Sequence, residues 1–238
     1  MKISQVFAGV LLAIGCASAS AGMMTVYQDT GPIKIASNTI TTFASQPLVQ
    51  AIDGDVFVEF SLAFNGLGDI ANNDFLGIWF GYDAPSTAND KNVTGDRTKG
   101  PNIGLKSQAG VASDLFVRTS GTDGTFLNDA KVTSGTTYRL VGHLYKDANS
   151  TTYNKFDAWL NPTADELANR TGIDASASGP SGGLSAINAF GFRSFNLNDG
   201  EFVVLSGLKI QAVPEPGTLA LAGIALAGLA GLRRRKHA

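Results

Sequence analysis

Cysteine is almost absent from this chain: the one cysteine, Cys16, lies near the N-terminus. The rest of the protein therefore has no disulfide to rely on, and its stability has to come from a packed core. Histidine is nearly as scarce, with His143 inside the chain and His237 beside its end. Two histidines so far apart, with no second thiol, exclude zinc and copper centres of the usual kind. Charge is sparse as well. Charged residues make up 16% of the chain and the formal net charge is −2, which gives no nucleic-acid footprint. Basic residues cluster in one place, Arg233, Arg234, Arg235 and Lys236, at the very end.

The N-terminus has the three parts of a secretory signal peptide in order. Lys2 supplies the positive start, Val6 to Ile14 the apolar stretch, and "ASASAG" the small residues before cleavage. Two Ala-x-Ala registers end at Ala19 and Ala21; cleavage after Ala21 leaves the longer polar approach to signal peptidase. The apolar run is shorter than the ~20 residues of a membrane span, so this segment is expected to be removed. Cys16 leaves with it. The body between this segment and the C-terminal one, residues 22–212, is about 190 residues long, enough to bury one sizeable core.

Residues 22–212 read as one domain made of short apolar runs between stretches of Gly, Ser, Thr, Asn and Asp. In "DVFVEFSLAF", Val56, Val58, Phe60, Leu62 and Phe64 share one face, the period of two of a strand with one buried side. The same reading of "EFVVLSGLKIQ" puts Phe202, Val204, Leu208 and Ile210 on one face. "FLGIWFGYD", "NIGLKS", "DLFVRTS", "TYRLVGHLYK", "NKFDAWLNP" and "AFGFRSF" supply further strands, rich in aromatic and β-branched types. Asn65-Gly66, Asp123-Gly124, Ser134-Gly135 and Asp199-Gly200 punctuate them as turns. Only "PTADELANR" has helical character. Many strands, almost no helix and no βαβ alternation predict an all-β, antiparallel sandwich.

The succession of "GDVFVEFSLAF", "FLGIWFGYD", "GPNIGLKSQ", "VTSGTTYRLVGHLYK", "NKFDAWLNPT" and "VVLSGLKIQ" resembles the concanavalin A-like jelly-roll sandwiches. That group holds legume-type lectins, laminin G-like modules and several glucanases. The resemblance implies a jelly-roll fold and allows either glycan binding or glycan cleavage.

Residues that would do chemistry are hard to find. The glucanases of that group carry a Glu-x-Asp-x-Glu stretch, because retaining hydrolysis needs two carboxyl groups about 5 Å apart. Here Glu59, Glu166, Glu201 and Glu215 are isolated from one another, and Glu59 falls on the outward face of its strand. A pair made by folding, such as Glu59 with Asp157, is the remaining route to catalysis. The sequence is thus read as that of a protein that is not an enzyme, with a divergent glycan hydrolase or lyase as the alternative. No cofactor is called for. Calcium is the one metal the sequence allows, through Asp69, Asn72, Asn73 and Asp74 or through Asp147, Asn149, Ser150 and Asp157, although Asp and Asn in such stretches equally make turns. Periodicity turns Trp79 and Trp159 away from the faces expected to form the core, which makes them candidates for stacking on sugar rings.

The C-terminus carries the most specific signal. Val213, Pro214, Glu215 and Pro216 precede a chargeless stretch from Thr218 to Leu232, and the basic cap Arg233–Lys236 follows. At 1.5 Å per residue that helix is about 22 Å long, short of the ~30 Å hydrocarbon layer. The basic cap favours the cytoplasmic side, which leaves the sandwich outside. Pro214 and Pro216 keep the motif extended. Motif, short apolar helix and basic end over residues 213–238 resemble the PEP-CTERM sorting signal of Gram-negative bacteria. The resemblance implies recognition by a membrane-embedded exosortase, transient anchoring in the inner membrane, and a structural or glycan-binding role in the extracellular polysaccharide of a biofilm matrix.

Overall fold

The computed structural model describes residues 23–36, 40–44, 51–67, 70–71, 73–82 and 100–213. The segment read as a signal peptide with Ala19 and Ala21, the motif from Pro214, the chargeless stretch Thr218 to Leu232 and the basic residues Arg233–Lys236 lie outside the described residues, as do Asp69 and Asn72. Among the described residues no helix is long and apolar enough to cross a membrane.

The strands, in chain order, are β1 (Met24–Gln28), β2 (Ile33–Ile35), β3 (Ile40–Ala44), β4 (Asp55–Asn65), β5 (Phe75–Gly81), β6 (Asn102–Lys106), β7 (Leu115–Arg118), β8 (Thr125–Phe126), β9 (Thr137–Tyr145), β10 (Lys155–Leu160), β11 (Ala175–Ser178), β12 (Ala189–Phe195) and β13 (Phe202–Val213). One helix, α1 (Ala164–Asn169), follows β10. Among the described residues these strands form two antiparallel sheets. The first runs β1-β13-β4-β9-β10-β11, with β2 also on β13; the second runs β3-β12-β5-β6-β7-β8. Neighbours such as β13-β4 and β12-β5 are distant in sequence, so long connections cross between the layers. The result is the antiparallel sandwich that the alternating runs predict, with the jelly-roll architecture that the concanavalin A-like resemblance implies.

β4 shows why the layers stay together. Its residues alternate without a break, and Val56, Val58, Phe60, Leu62 and Phe64 are all buried in the main core. They face Leu76, Ile78 and Phe80 of β5 and Ile103 and Leu105 of β6 in the same cluster. Each such side chain removed from water contributes about 1.5 to 3 kcal/mol.

β13 departs from the sequence expectation. Val203 and Leu205 are buried and belong to the core, whereas Phe202 and Val204 lie on the other face. Leu208 and Ile210 do face the core. The cause is a bulge: Ser206 pairs with Ser61, but the next partners are Lys209 and Glu59. Three residues of β13 span two of β4, and Gly207 takes the extra step at φ +64. The parity of the strand therefore changes in its middle, and a strict period of two misassigns its first half.

The helix reading of "PTADELANR" holds. Thr163 caps α1 through its Oγ1, which accepts from the Glu166 amide at 3.2 Å, and Glu166 accepts from the Thr163 amide at 2.7 Å.

Candidate functional site

The outward face of the β12-β5-β6-β7 sheet is built by alternation. With Leu76, Ile78, Ile103, Leu105, Leu115, Val117, Phe190 and Phe192 turned to the core, the intervening residues point outward. These are Phe75, Gly77 and Trp79 on β5, Asn102, Gly104 and Lys106 on β6, Phe116 and Arg118 on β7, and Gly191, Arg193 and Phe195 on β12. Strand pairing then fixes the rows. Phe75 lies opposite both Lys106 and Phe195; Gly77 lies opposite both Gly104 and Arg193; Asn102 lies opposite both Trp79 and Arg118.

The side chains interleave rings and cations. The Arg118 guanidinium lies 5.3 Å from the centroids of both Phe75 and Phe116, and Arg193 lies 5.8 Å from Phe75 and from Phe195. These are cation–π distances. Phe75 and Phe116 are themselves 5.6 Å apart, over a strip where Gly77 and Gly104 have no side chain to fill the space. Arg118 Nη1 and Lys106 Nζ both donate to the Thr122 carbonyl, at 3.0 and 2.6 Å. Burial, and then the nearby Arg193, bring the Arg118 guanidinium down to about 10, with Asp123 opposing. Burial and Arg118 lower the Lys106 ammonium as well, again against Asp123.

An open groove of about 410 Å³ follows this row, from Asn73 and Asn196 past Phe75 and Arg193 to Thr122. Among the described residues no carboxylate lines it. A second hollow, of about 580 Å³, adjoins it at Gly121 and runs over Tyr82, Pro101 and Ser120 to the Pro180–Leu184 turn. Both volumes are in the range of small-ligand sites.

The outward face of the other sheet carries a ring stack tied to acidic partners. His143 is stacked on Phe57 at 4.2 Å and on Tyr145 at 4.4 Å, and its Nε2 lies 2.9 Å from Asp55 Oδ2. Asp157 accepts from the Tyr145 hydroxyl at 3.1 Å and from Ser176 at 2.5 Å. Burial, together with the charge of Asp157, pushes the Tyr145 phenol up to about 12. His143 is thus a buried, hydrogen-bonded strand residue. Glu59 pairs with Arg139 at 2.7 Å, so Glu59 and Asp157 are held by different partners.

The two tryptophans fall on opposite sides of the sandwich and form no common platform. Trp159 belongs to the β10 outward face and is covered: its Nε1 donates to the Thr171 carbonyl at 2.7 Å beyond α1. Trp79 stands on the groove's own sheet, apart from the main core and grouped with Ala189, yet it too is fully buried. Among the described residues Trp79 Nε1 has no hydrogen-bond partner.

The acidic stretches considered for calcium make turns where they are described. Asp147 Oδ1 accepts from the Asn149 amide, and its Oδ2 accepts from Asn154. Asp74 accepts from the Ala71 amide and is buried. Among the described residues no three His, Cys, Asp or Glu side chains converge on a metal position.

Sequence reading missed Lys106, Arg118, Arg193 and Phe195. The signal was one cation on the outward register of each of three short strands, but it has meaning only once β12, β5, β6 and β7 are known to be neighbours.

Among solved structures, the chain is similar to the carbohydrate recognition domain of Emp46p, at 12% identity over 79% of this chain and 85% of that one, with a TM-score of 0.48. It is also similar to a Lotus tetragonolobus seed lectin (10% identity, 82% and 100% covered, TM-score 0.45). A third is the alginate lyase vAL-1 from Chlorella virus (9% identity, 80% and 88% covered, TM-score 0.45). No curated protein matches the chain by sequence. Residues 212–236 match the PEP-CTERM protein-sorting motif. The chain is therefore a jelly-roll sandwich that ends in a PEP-CTERM sorting motif, the mark of an exported protein associated with the cell envelope.

Proposed function

We propose that this protein is a cell-surface or extracellular-matrix component that binds carbohydrate on the outward face of the β12-β5-β6-β7 sheet, and that it works by binding without catalysis. The groove bordered by the half-buried Lys106 and Arg193, with the exposed Phe195 at its rim and the buried Phe75 and Arg118 at its floor, carries this reading. Aromatic faces pack against the CH groups of a sugar ring, and guanidinium groups donate to its oxygens. Phe195 is 48% exposed, so a ring face is available at the rim. Among the described residues the groove lining supplies cations and amides but no carboxylate or imidazole to act as acid or base. Binding of the exported protein to an exopolysaccharide fraction, measured by affinity electrophoresis, is the expected result. Absence of binding across a polysaccharide panel, with an unchanged biofilm in a deletion strain, would overturn the reading. Depolymerisation of any of those polysaccharides by the purified protein would replace it with the lyase or hydrolase alternative.

Processing follows from the two ends. Signal peptidase removes residues 1–21, and an exosortase acts at Val213–Pro216 while the short apolar helix holds the chain in the inner membrane with Arg233–Lys236 inside. The intact mass of the protein recovered from culture fluid and from envelopes tests this. A stable surface form that retains "LALAGIALAGLAGLRRRKHA" would refute it.

A further inference from the structure

The groove has a charge of its own, opposite in sign to that of the chain. Lys106 and Arg118, on the adjacent strands β6 and β7, and Arg193, across β5 on β12, line one groove, whereas the whole protein has a formal net charge of −2. Lys106 and Arg118 point at the same Thr122 carbonyl, an arrangement that concentrates positive charge at one spot. Arg118 is nearly buried, so this charge sits partly in protein, where screening by salt is weaker than at an open surface. The hollow that adjoins at Gly121 is different in character, lined by Tyr82, Pro101 and the Pro180–Leu184 turn, with no charged residue among the described ones. A ligand that fills both is long, anionic at one end of its contact and neutral at the other.

We infer that the occupant is an acidic polysaccharide, bound through the anionic groups of its sugar residues at Lys106, Arg118 and Arg193, with a ring face on Phe195. Fork-shaped guanidinium donors suit carboxylate or sulfate oxygens. A polymer places successive residues along both hollows. This rests on the carbohydrate-binding reading above and narrows it to one substrate class.

The test titrates the exported protein with polygalacturonate, with the same polymer after carboxyl reduction, with a sulfated galactan, and with single-stranded polynucleotide. Tight binding to polygalacturonate is expected, falling about tenfold or more in Arg193→Gln and in Lys106→Gln, and falling with added salt. Carboxyl reduction should cost at least as much. Preference for the sulfated galactan, lost in the same variants, also supports the inference and identifies the anion as sulfate. Equal binding of the carboxyl-reduced polymer overturns the inference while leaving carbohydrate binding standing. Binding of no polysaccharide overturns both, and preference for the polynucleotide overturns the inference. Both variants replace half-buried side chains, and an unchanged unfolding midpoint confirms that each is folded; Phe195→Ala provides an independent third variant.

Discussion

Three glycines separate two kinds of constraint in this sandwich, and alanine substitution turns the difference into a measurable series. Gly110 has φ +78 and open space where a Cβ would stand. Alanine there meets only the left-handed backbone penalty, about 1 to 2 kcal/mol. Gly142 of β9 is the opposite case: its backbone is not in that region, but a Cβ would come within 2.8 Å of Phe156, 2.9 Å of Ile103 and 3.0 Å of Val58, in the space between the sheets. Overpacking of that sort costs about 1 to 3 kcal/mol. Gly104 combines both. It has φ +155, and a Cβ would run into the carbonyl oxygen of Leu76 on the paired strand, a backbone atom that cannot rotate away. Backbone strain and overpacking together put Gly104→Ala at about 3 to 5 kcal/mol. With a urea slope of about 2 kcal/mol per molar, the midpoint should fall by about 0.5 to 1 M for Gly110→Ala and about 2 M for Gly104→Ala, with Gly142→Ala between. Urea unfolding followed by tryptophan fluorescence reads the series. A Gly104→Ala midpoint equal to that of Gly110→Ala would refute the claim that the close β5-β6 approach demands glycine.

Other consequences can be checked in the same preparation. Burial lifts the Asp74 carboxyl from its usual range to about 6, against the Ala71 amide bond and with help from Glu201. Its raised value favours the folded state at low pH, and that contribution is lost as pH rises through about 6; Asp74→Asn should therefore stabilise by up to about 2 kcal/mol at pH 8 and bring no advantage at pH 4. Tyr153 is buried and donates to the Ile52 and Gly54 carbonyls at 3.0 and 2.7 Å, so Tyr153→Phe should cost about 1 to 3 kcal/mol in chemical denaturation by stranding both acceptors. Trp159→Phe removes the bond to Thr171 and should lower stability by about 1 to 2 kcal/mol while leaving polysaccharide affinity unchanged. An affinity loss in Trp159→Phe would place the binding surface on the wrong sheet.

Sequence alone determined the class of fold and the destination. Strict alternation in β4 follows from the two-sided geometry of a strand, so the buried face of Asp55–Asn65 could be read directly; in β5, buried along its whole length, the same period still put Leu76, Ile78 and Phe80 on the core side. The match at residues 212–236 is likewise local, because a sorting signal is recognised as a linear segment. Periodicity failed in β13, where one extra residue at Ser206–Lys209 reverses which side chains face inward, and no propensity marks a bulge beyond the single Gly207. It also turned both tryptophans outward without showing what lies over them: Trp159 is covered through Thr171, a contact made by chain that returns after α1. The groove belongs wholly to the tertiary structure. Phe75, Lys106, Arg118 and Arg193 come from four strands spread over more than half of the described chain, and nothing in the sequence groups them. They become one charged, aromatic surface because antiparallel pairing sets β12 and β6 on either side of β5, a choice made by the long-range packing of the two sheets.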